Sequence, residues 1–116
     1  MDLDNWGTQL RKRVLELCIV NLLAHGEMYG YDLVKRLAHV EGMAVPEGTI
    51  YPLLARLNRS GLVETRLEAS TSGPARKYYR LSAAGARAQR QMNRAWREVV
   101  YGVNGLMNGK EDNSDG

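Results

Sequence analysis

The chain has 116 residues, of which 44% are hydrophobic, and its formal net charge is +3 at pH 7. This length predicts one domain with a modest core, so burial against a second chain would add stability. The last residues include Glu111, Asp112 and Asp115 but only one base, Lys110; the rest of the chain has 15 Lys and Arg against 10 Asp and Glu, or +5. A positive domain favours a nucleic acid or another anionic surface as its partner, although so small an excess is weak evidence by itself.

The N-terminus and the single cysteine bear on location. The chain begins MDLDNW, with acids where a signal peptide requires cations, and no apolar run approaches the ~18 residues of a membrane span. We therefore expect a cytoplasmic protein without a membrane partner. Cys18, the one cysteine, lies in the apolar run LELCIVNLLA and is expected to be a buried core thiol.

Two helices are predicted in the N-terminal third of the chain. Thr8 is a suitable N-cap for a helix that extends to about Ala24, and Trp6, just before it, is expected to be a packing anchor for the N-terminal arm. A second helix is predicted from about Gly30 to His39, with Gly42 closing it. The apolar face of the first helix is expected to comprise Leu10, Val14, Leu17, Cys18, Val20, Leu22 and Leu23.

A third helix is predicted before Gly61, because apolar residues recur at i, i+3, i+4 and i+7. Its start is open: a helix from Pro46 would lose an interior hydrogen bond at Pro52, whereas an N-cap at Thr49 would place Pro52 where its missing N–H costs little. The core stripe consists of Ile50, Leu53, Leu54 and Leu57. The residues left on other faces are Tyr51, Ala55, Arg56, Asn58 and Arg59.

A β-hairpin is predicted next. Leu62 to Glu68 favour an extended chain, Ser70 to Pro74 are turn residues, and the extended pattern resumes over RKYYRL. Tyr78 and Tyr79 alternate across the strand, so one should enter the core and the other remain partly exposed. Arg76 and Lys77 lie beside the turn, where phosphate anchors are expected.

The last helix is predicted from the N-cap Ser82 to about Met107. At ~1.5 Å per residue it would be nearly 40 Å long, more than a small domain can cover, so it should pack against a second chain. We therefore expect a mainly α fold with a small β-hairpin: a winged helix-turn-helix over residues 1–81, a dimerisation helix over 82–108 and a disordered tail over 109–116.

The element order and several motifs identify a resemblance. QLRKRVLELCIVNLLAHGEMYGYDLVKRL, EGTIYPLLARLNRSGLVE and SGPARKYYRLSAAG resemble the PadR family of winged-helix transcriptional regulators from about Trp6 to Asn108. The single C-terminal helix is similar to that of the small branch, which includes multidrug-responsive repressors and dimerises through its first and last helices. In drug-binding members a tryptophan on the last helix lines a flat pore at the dimer centre; here Trp96 occupies the matching segment AWREVV.

The resemblance implies a homodimeric repressor that binds double-stranded DNA at an inverted repeat. It also implies release by an aromatic or hydrophobic small molecule, such as a multidrug or phenolic ligand, bound at the dimer interface. The expected DNA-binding residues are Thr49, Tyr51, Ala55, Arg56, Asn58, Arg59, Arg76, Lys77 and Tyr78. The expected residues of the ligand and dimer interface are Arg13, Leu17, Met92, Trp96, Val99, Val100 and Val103. The chain departs from the family pattern where Arg13 replaces a small residue, Pro46 replaces a serine cap and Ala75 replaces a proline of the wing.

Other functions have less support in the sequence. His25 and His39 are not at metal-ligand spacing, and no nucleophile or phosphate-loop motif occurs, so we expect no enzyme, metal or cofactor. Three alternatives stay open: Trp96 could only pack a dimer interface, the dimer could bind DNA without an effector, and the winged helix could serve as a protein-interaction module.

Overall fold

The computed structural model describes residues 1–109, which form four helices and one three-stranded antiparallel sheet. In chain order the elements are α1 (Leu3–Leu23), β1 (Met28–Tyr29), α2 (Gly30–Ala38), α3 (Glu47–Arg59), β2 (Val63–Glu68), β3 (Arg76–Leu81) and α4 (Ala83–Met107). This confirms the mainly helical winged helix with a long C-terminal helix. Of the predicted disordered tail, residues 110–116 lie outside the described residues.

The first helix begins earlier than the sequence predicted. Asp2, not Thr8, is its N-cap, and the Asp2 carboxylate accepts a hydrogen bond from the Asn5 N–H at 3.1 Å. Thr8 lies inside α1, and its hydroxyl donates to the Asp4 carbonyl at 3.0 Å. An aspartate caps at least as well as a threonine, and the earlier start adds helical hydrogen bonds. Trp6 is therefore part of α1 and 57% exposed, so within the described chain it does not pack an N-terminal arm onto the core.

The core lies where α1, α2 and α3 meet the sheet. Leu15 and Ile19 of α1 are fully buried there, although the predicted apolar face left both out and instead included Leu10, which is 47% exposed. Cys18 is half-buried at the edge of this core, where burial raises the pKa of its thiol. The buried cluster comprises Leu15, Ile19, Leu23, Leu33, Val34, Leu37, Met43, Val45, Ile50, Leu54, Leu57, Val63 and Tyr79.

The third helix follows the earlier of its two predicted starts, with Pro46 as N-cap and Pro52 inside the helix. The hydrogen bond that Pro52 cannot donate is lost on the exposed side, because Pro52 itself is exposed. At the other end Gly61 has a φ of +79°, and the Leu62 N–H donates to the Leu57 carbonyl at 3.1 Å. A residue with positive φ and this bond form a Schellman cap, which turns the chain directly into β2.

The sheet contains a strand that the sequence analysis treated as a connector. Met28 and Tyr29 pair antiparallel with Tyr79 and Tyr78 of β3, so β3 is the central strand. The register also decides between the two tyrosines: Tyr79 is 6% exposed and enters the core, whereas Tyr78 is half-buried. A two-residue strand has no hydrophobic alternation of its own, so only its partner reveals it.

The start of α4 is fixed against the end of α3. As predicted, Ser82 is the N-cap: its hydroxyl oxygen accepts from the Gly85 N–H at 3.0 Å and its O–H donates to the Gly61 carbonyl at 2.6 Å. Gly85 is the one buried residue among the 25 of α4, and its Cα faces the Leu62 carbonyl. Beyond this point α4 is largely exposed. Neither α4 nor any other helix within residues 1–109 is long and apolar enough to cross a membrane.

Replacing Gly85 by Ala is expected to destabilise the fold. The added Cβ would overlap the carbonyl of Leu62, a backbone atom that can move only with the α3–β2 turn. We expect the free energy of unfolding, measured by urea denaturation, to fall by at least about 1–3 kcal/mol. Gly48→Ala is the matched control, because no atom lies within 4 Å of its added Cβ, and it should be neutral or stabilising by up to ~1 kcal/mol. Equal stability of the two variants would contradict the close approach at Gly85.

Candidate nucleic-acid interface

The outer face of α3 carries the residues for which the sequence predicted contact with bases. Ile50, Leu54 and Leu57 are buried and fix the inner face of the helix. Thr49 is half-buried. Tyr51 is 45% exposed, so almost half of the Tyr51 surface is available for contact with bases. Ala55, Arg56, Asn58 and Arg59, the other members of the predicted set on α3, are also exposed.

Two arginines of α3 differ in their surroundings. Arg56 forms an ion pair with Glu16 of α1. Arg59 makes no ion pair within the described chain. Because exposed ion pairs contribute only about 0–1 kcal/mol, the Glu16 contact orients Arg56 without preventing it from meeting another anion.

The wing, defined here as β2, β3 and their connecting loop, contains two kinds of cation. Arg66 pairs with Glu27 at 2.6 Å and with Glu68 at 3.7 Å, and Arg80 pairs with Glu64 at 2.9 Å. Arg76 and Lys77, by contrast, have no carboxylate at ion-pair distance among residues 1–109. Arg76 and Lys77, which the sequence predicted as phosphate anchors, are therefore the two wing cations whose charge is not paired with a carboxylate in the described chain.

The Arg66–Glu27 pair holds the base of the wing. The Arg66 Nε and Nη2 both donate to the Glu27 carboxylate, at 2.6 to 3.0 Å, and this contact lowers the pKa of Glu27 below its ordinary value. A carboxyl with a lowered pKa stabilises the fold above its ordinary pKa and loses that contribution as the pH falls through the lowered value. The wing base therefore keeps this ion pair at every pH above the acid range.

A cluster of tyrosines and cations where β1 meets the wing was not predicted. The Tyr78 ring lies 5.7 Å from that of Tyr29, and the Arg66 guanidinium carbon lies 4.5 Å from the Tyr78 ring centre. Arg76 lies 5.1 Å from the Tyr29 ring centre. These contacts position Arg76 beside Tyr78, another residue of the predicted DNA-binding set. Arg76 and Tyr78 share a face of β3 because they are two residues apart, but their contacts with Tyr29 depend on β1, which the sequence did not reveal.

An open groove of about 530 Å³ runs between α1 and α3. Arg13, which the sequence analysis assigned to a ligand pore, lines this groove beside Thr49 and Arg59. Lys12 also lines it and was not predicted to have a role. The full lining is Gln9, Lys12, Arg13, Glu16, Gly48, Thr49, Pro52, Leu53, Arg56 and Arg59.

A second, apolar face is formed by α1 and α4. Trp96 is 43% exposed, Val99 58% and Val103 47%, and the three follow one side of α4. Leu17, Met92 and Val100, the other apolar residues assigned to the interface, are half-buried. Three amides join the two helices: the Asn21 and Asn93 side chains bond each other at 2.8 and 2.9 Å, and the Gln89 Nε2 donates to the Asn21 Oδ1 at 2.9 Å.

A helix-turn-helix beside a three-stranded sheet with a cationic hairpin defines the winged-helix class. The Transcriptional regulator PadR-like family matches residues 19–91, more than half of the chain. The protein therefore belongs to the PadR-like family of transcriptional regulators, as the sequence resemblance implied, and is not an enzyme. Residues 1–109 contain no cluster of three or more potential metal ligands.

Relatives and solved structures match most of the chain. Transcriptional regulator Rv3488 of Mycobacterium tuberculosis is 32% identical over 97 residues, which cover 84% of this chain and 89% of that protein. A PadR-like transcriptional regulator of Bacillus cereus is 39% identical, with a TM-score of 0.77 over 88% of this chain and 99% of that one. Bacillus subtilis PadR, solved in complex with operator DNA, is 28% identical, with a TM-score of 0.62 over 69% of this chain and 45% of that one.

Proposed function

We propose that the protein is a homodimeric transcriptional repressor that binds an inverted-repeat operator. The observation that carries this proposal is the joint exposure of the α3 face and of two wing cations without carboxylate partners. A helix of about 10–12 Å diameter fits the major groove, which is about 12 Å wide. Thr49, Tyr51 and Ala55 then face base edges, with Arg56 able to donate to a guanine.

The remaining cations serve the DNA backbone in this proposal. Arg59 and Asn58 lie toward the end of α3 and reach phosphates at the rim of the groove, while Arg76 and Lys77 on the wing hold phosphates beyond it. Tyr78 supports Arg76 through the tyrosine cluster. The operator complex of Bacillus subtilis PadR supports DNA binding by this fold, because that relative was solved with operator DNA.

Dimerisation is proposed from the uncovered apolar surface. Leu106 and Met107 at the end of α4 are 75% and 76% exposed, and Leu3 at the start of α1 is 72% exposed. Each buried leucine side chain stabilises by about 1.5–3 kcal/mol, so leaving this surface in water would be costly for a small domain. A second copy would cover both helices. Its two-fold symmetry requires an operator with inverted half-sites.

We also propose that an aromatic effector binds between the paired α4 helices at Trp96. Trp96 lies on the apolar face with much of its surface exposed, and Met92 beside it is an adaptable contact. A ligand there would change the angle between the long helices, and with it the spacing of the two α3 helices. Release from the operator follows if only one spacing matches the half-sites.

The purified dimer is expected to bind an inverted repeat near its own gene in preference to scrambled DNA. Gel shifts and fluorescence anisotropy at moderate salt, with non-specific competitor, measure the preference. Sedimentation in the absence of DNA tests dimerisation separately. Equal affinity for operator and scrambled DNA would contradict specific recognition and would favour a protein-interaction module.

Replacing both Arg76 and Lys77 by Ala is expected to weaken specific and non-specific binding alike. Because each change occurs twice in a dimer, the slope of log K against log salt should flatten by about 2 to 4 units. Arg94→Ala with Arg97→Ala is the matched control, since it removes the same charge from exposed positions of α4. A slope that stays unchanged in the wing variant, or that falls equally in the control, would remove the wing from the interface.

Trp96→Ala is expected to lose effector affinity while retaining most operator affinity. In a Trp6→Phe background Trp96 is the only tryptophan, so quenching by a panel of planar aromatic dyes reports on it directly. The same compounds should weaken operator binding by a coupling of about 1–3 kcal/mol. Absence of quenching, or dissociation of the dimer by Trp96→Ala, would make Trp96 an interface packing residue and would contradict effector binding at this position.

A further inference from the structure

The groove between α1 and α3 has a strong excess of positive charge. Lys12, Arg13, Arg56 and Arg59 line it with a single carboxylate, that of Glu16, which gives a formal charge of +3. Glu16 pairs with Arg56, and the other three cations make no ion pair within the described chain. An open groove of this charge concentrates anions, and no ion pair within residues 1–109 neutralises Lys12, Arg13 or Arg59.

The groove between α1 and α3 lies directly beside α3, the helix that is proposed to enter the major groove. Its α3 wall consists of Gly48, Thr49, Pro52, Leu53, Arg56 and Arg59, which recur along one flank of the helix. Its other wall is the N-terminal half of α1, held in place where the Arg11 Nε donates to the Gly42 carbonyl, 2.9 Å away, in the loop before α3. Lys12 and Arg13 therefore run alongside the face of α3 that meets DNA.

The dimensions of DNA indicate what reaches these two side chains. Neighbouring packed helices are about 8–10 Å apart, whereas the major groove is about 12 Å wide. When α3 fills the major groove of DNA, α1, which packs on the flank of α3, lies over the sugar–phosphate backbone that borders the major groove. Lys and Arg are the side chains that bind phosphate oxygens in such positions.

We propose that Lys12 and Arg13 are DNA-backbone contacts, which makes α1 a third DNA-binding element beside α3 and the wing. This rests on the proposed operator binding and extends it. Phosphates on one border of the major groove bind α1, and the wing cations bind elsewhere on the backbone. Arg13 accordingly serves DNA and is not part of a ligand pore.

The first test measures the salt dependence of binding. Lys12→Ala with Arg13→Ala removes four cations from the dimer and should flatten the slope of log K against log salt by about 2 to 4 units, on operator and scrambled DNA alike. Arg94→Ala with Arg97→Ala should leave the slope nearly unchanged. If the wild-type protein binds its operator but the Lys12 and Arg13 variant keeps the full slope, this inference is wrong and the proposed function stands.

The second test asks where α1 lies on the DNA. The chain has one cysteine, so Cys18→Ala provides a background in which Lys12→Cys can carry a tethered cleavage reagent. Cleavage should occur on the backbone bordering each half-site, at positions distinct from those cut from Arg76→Cys on the wing. Cleavage from the wing position alone would overturn the inference. A wild-type protein without specific binding would instead refute the operator proposal on which it rests.

Discussion

The two packed faces of α1 determine where the functional elements lie. One face buries Leu15, Ile19 and Leu23 against α2, α3 and the sheet, and so fixes the position of α3. The other carries Asn21, whose amide is bonded to Asn93 and Gln89 of α4. Partly buried amides require partners, and only one register of α4 on α1 supplies these, so the amides align the long helix. The same helix thereby holds both the outer face of α3, which is proposed to read DNA, and the apolar surface of α4.

This arrangement gives the protein a physical connection between its two surfaces. A change in the angle of α4 would act on α1 through the Asn21 contacts, and α1 is joined to α3 by the core and by the Glu16–Arg56 pair. The exposed ion pair contributes at most about 1 kcal/mol, whereas each buried core side chain contributes about 1.5–3 kcal/mol. Close packing in the core would therefore transmit the proposed movement, and the ion pair mainly orients Arg56.

The distribution of carboxylates separates structural from available cations. Glu27 and Glu64 engage Arg66 and Arg80, which hold β1, β2 and β3 together at the base of the wing. Arg76 and Lys77 toward the tip have no such partner in the described chain, and neither do Lys12 and Arg13 on α1. The total charge of +3 conceals this pattern, because the paired cations contribute to the sum but not to the available positive surface.

The sequence alone determined the features that depend on neighbours in the chain. Helical spacing identified α2, α3 and α4, the Ser82 cap located the start of α4, and the turn residues before Arg76 identified the hairpin. The outer face of α3 followed from its buried stripe. Tertiary structure decided the rest. The strand β1 exists only through pairing with β3, and Gly85 matters because of the Leu62 carbonyl. The position of Arg13 also depended on tertiary structure. Helical periodicity places Arg13 on one face of α1, but only the packing of the helices shows that this face borders α3.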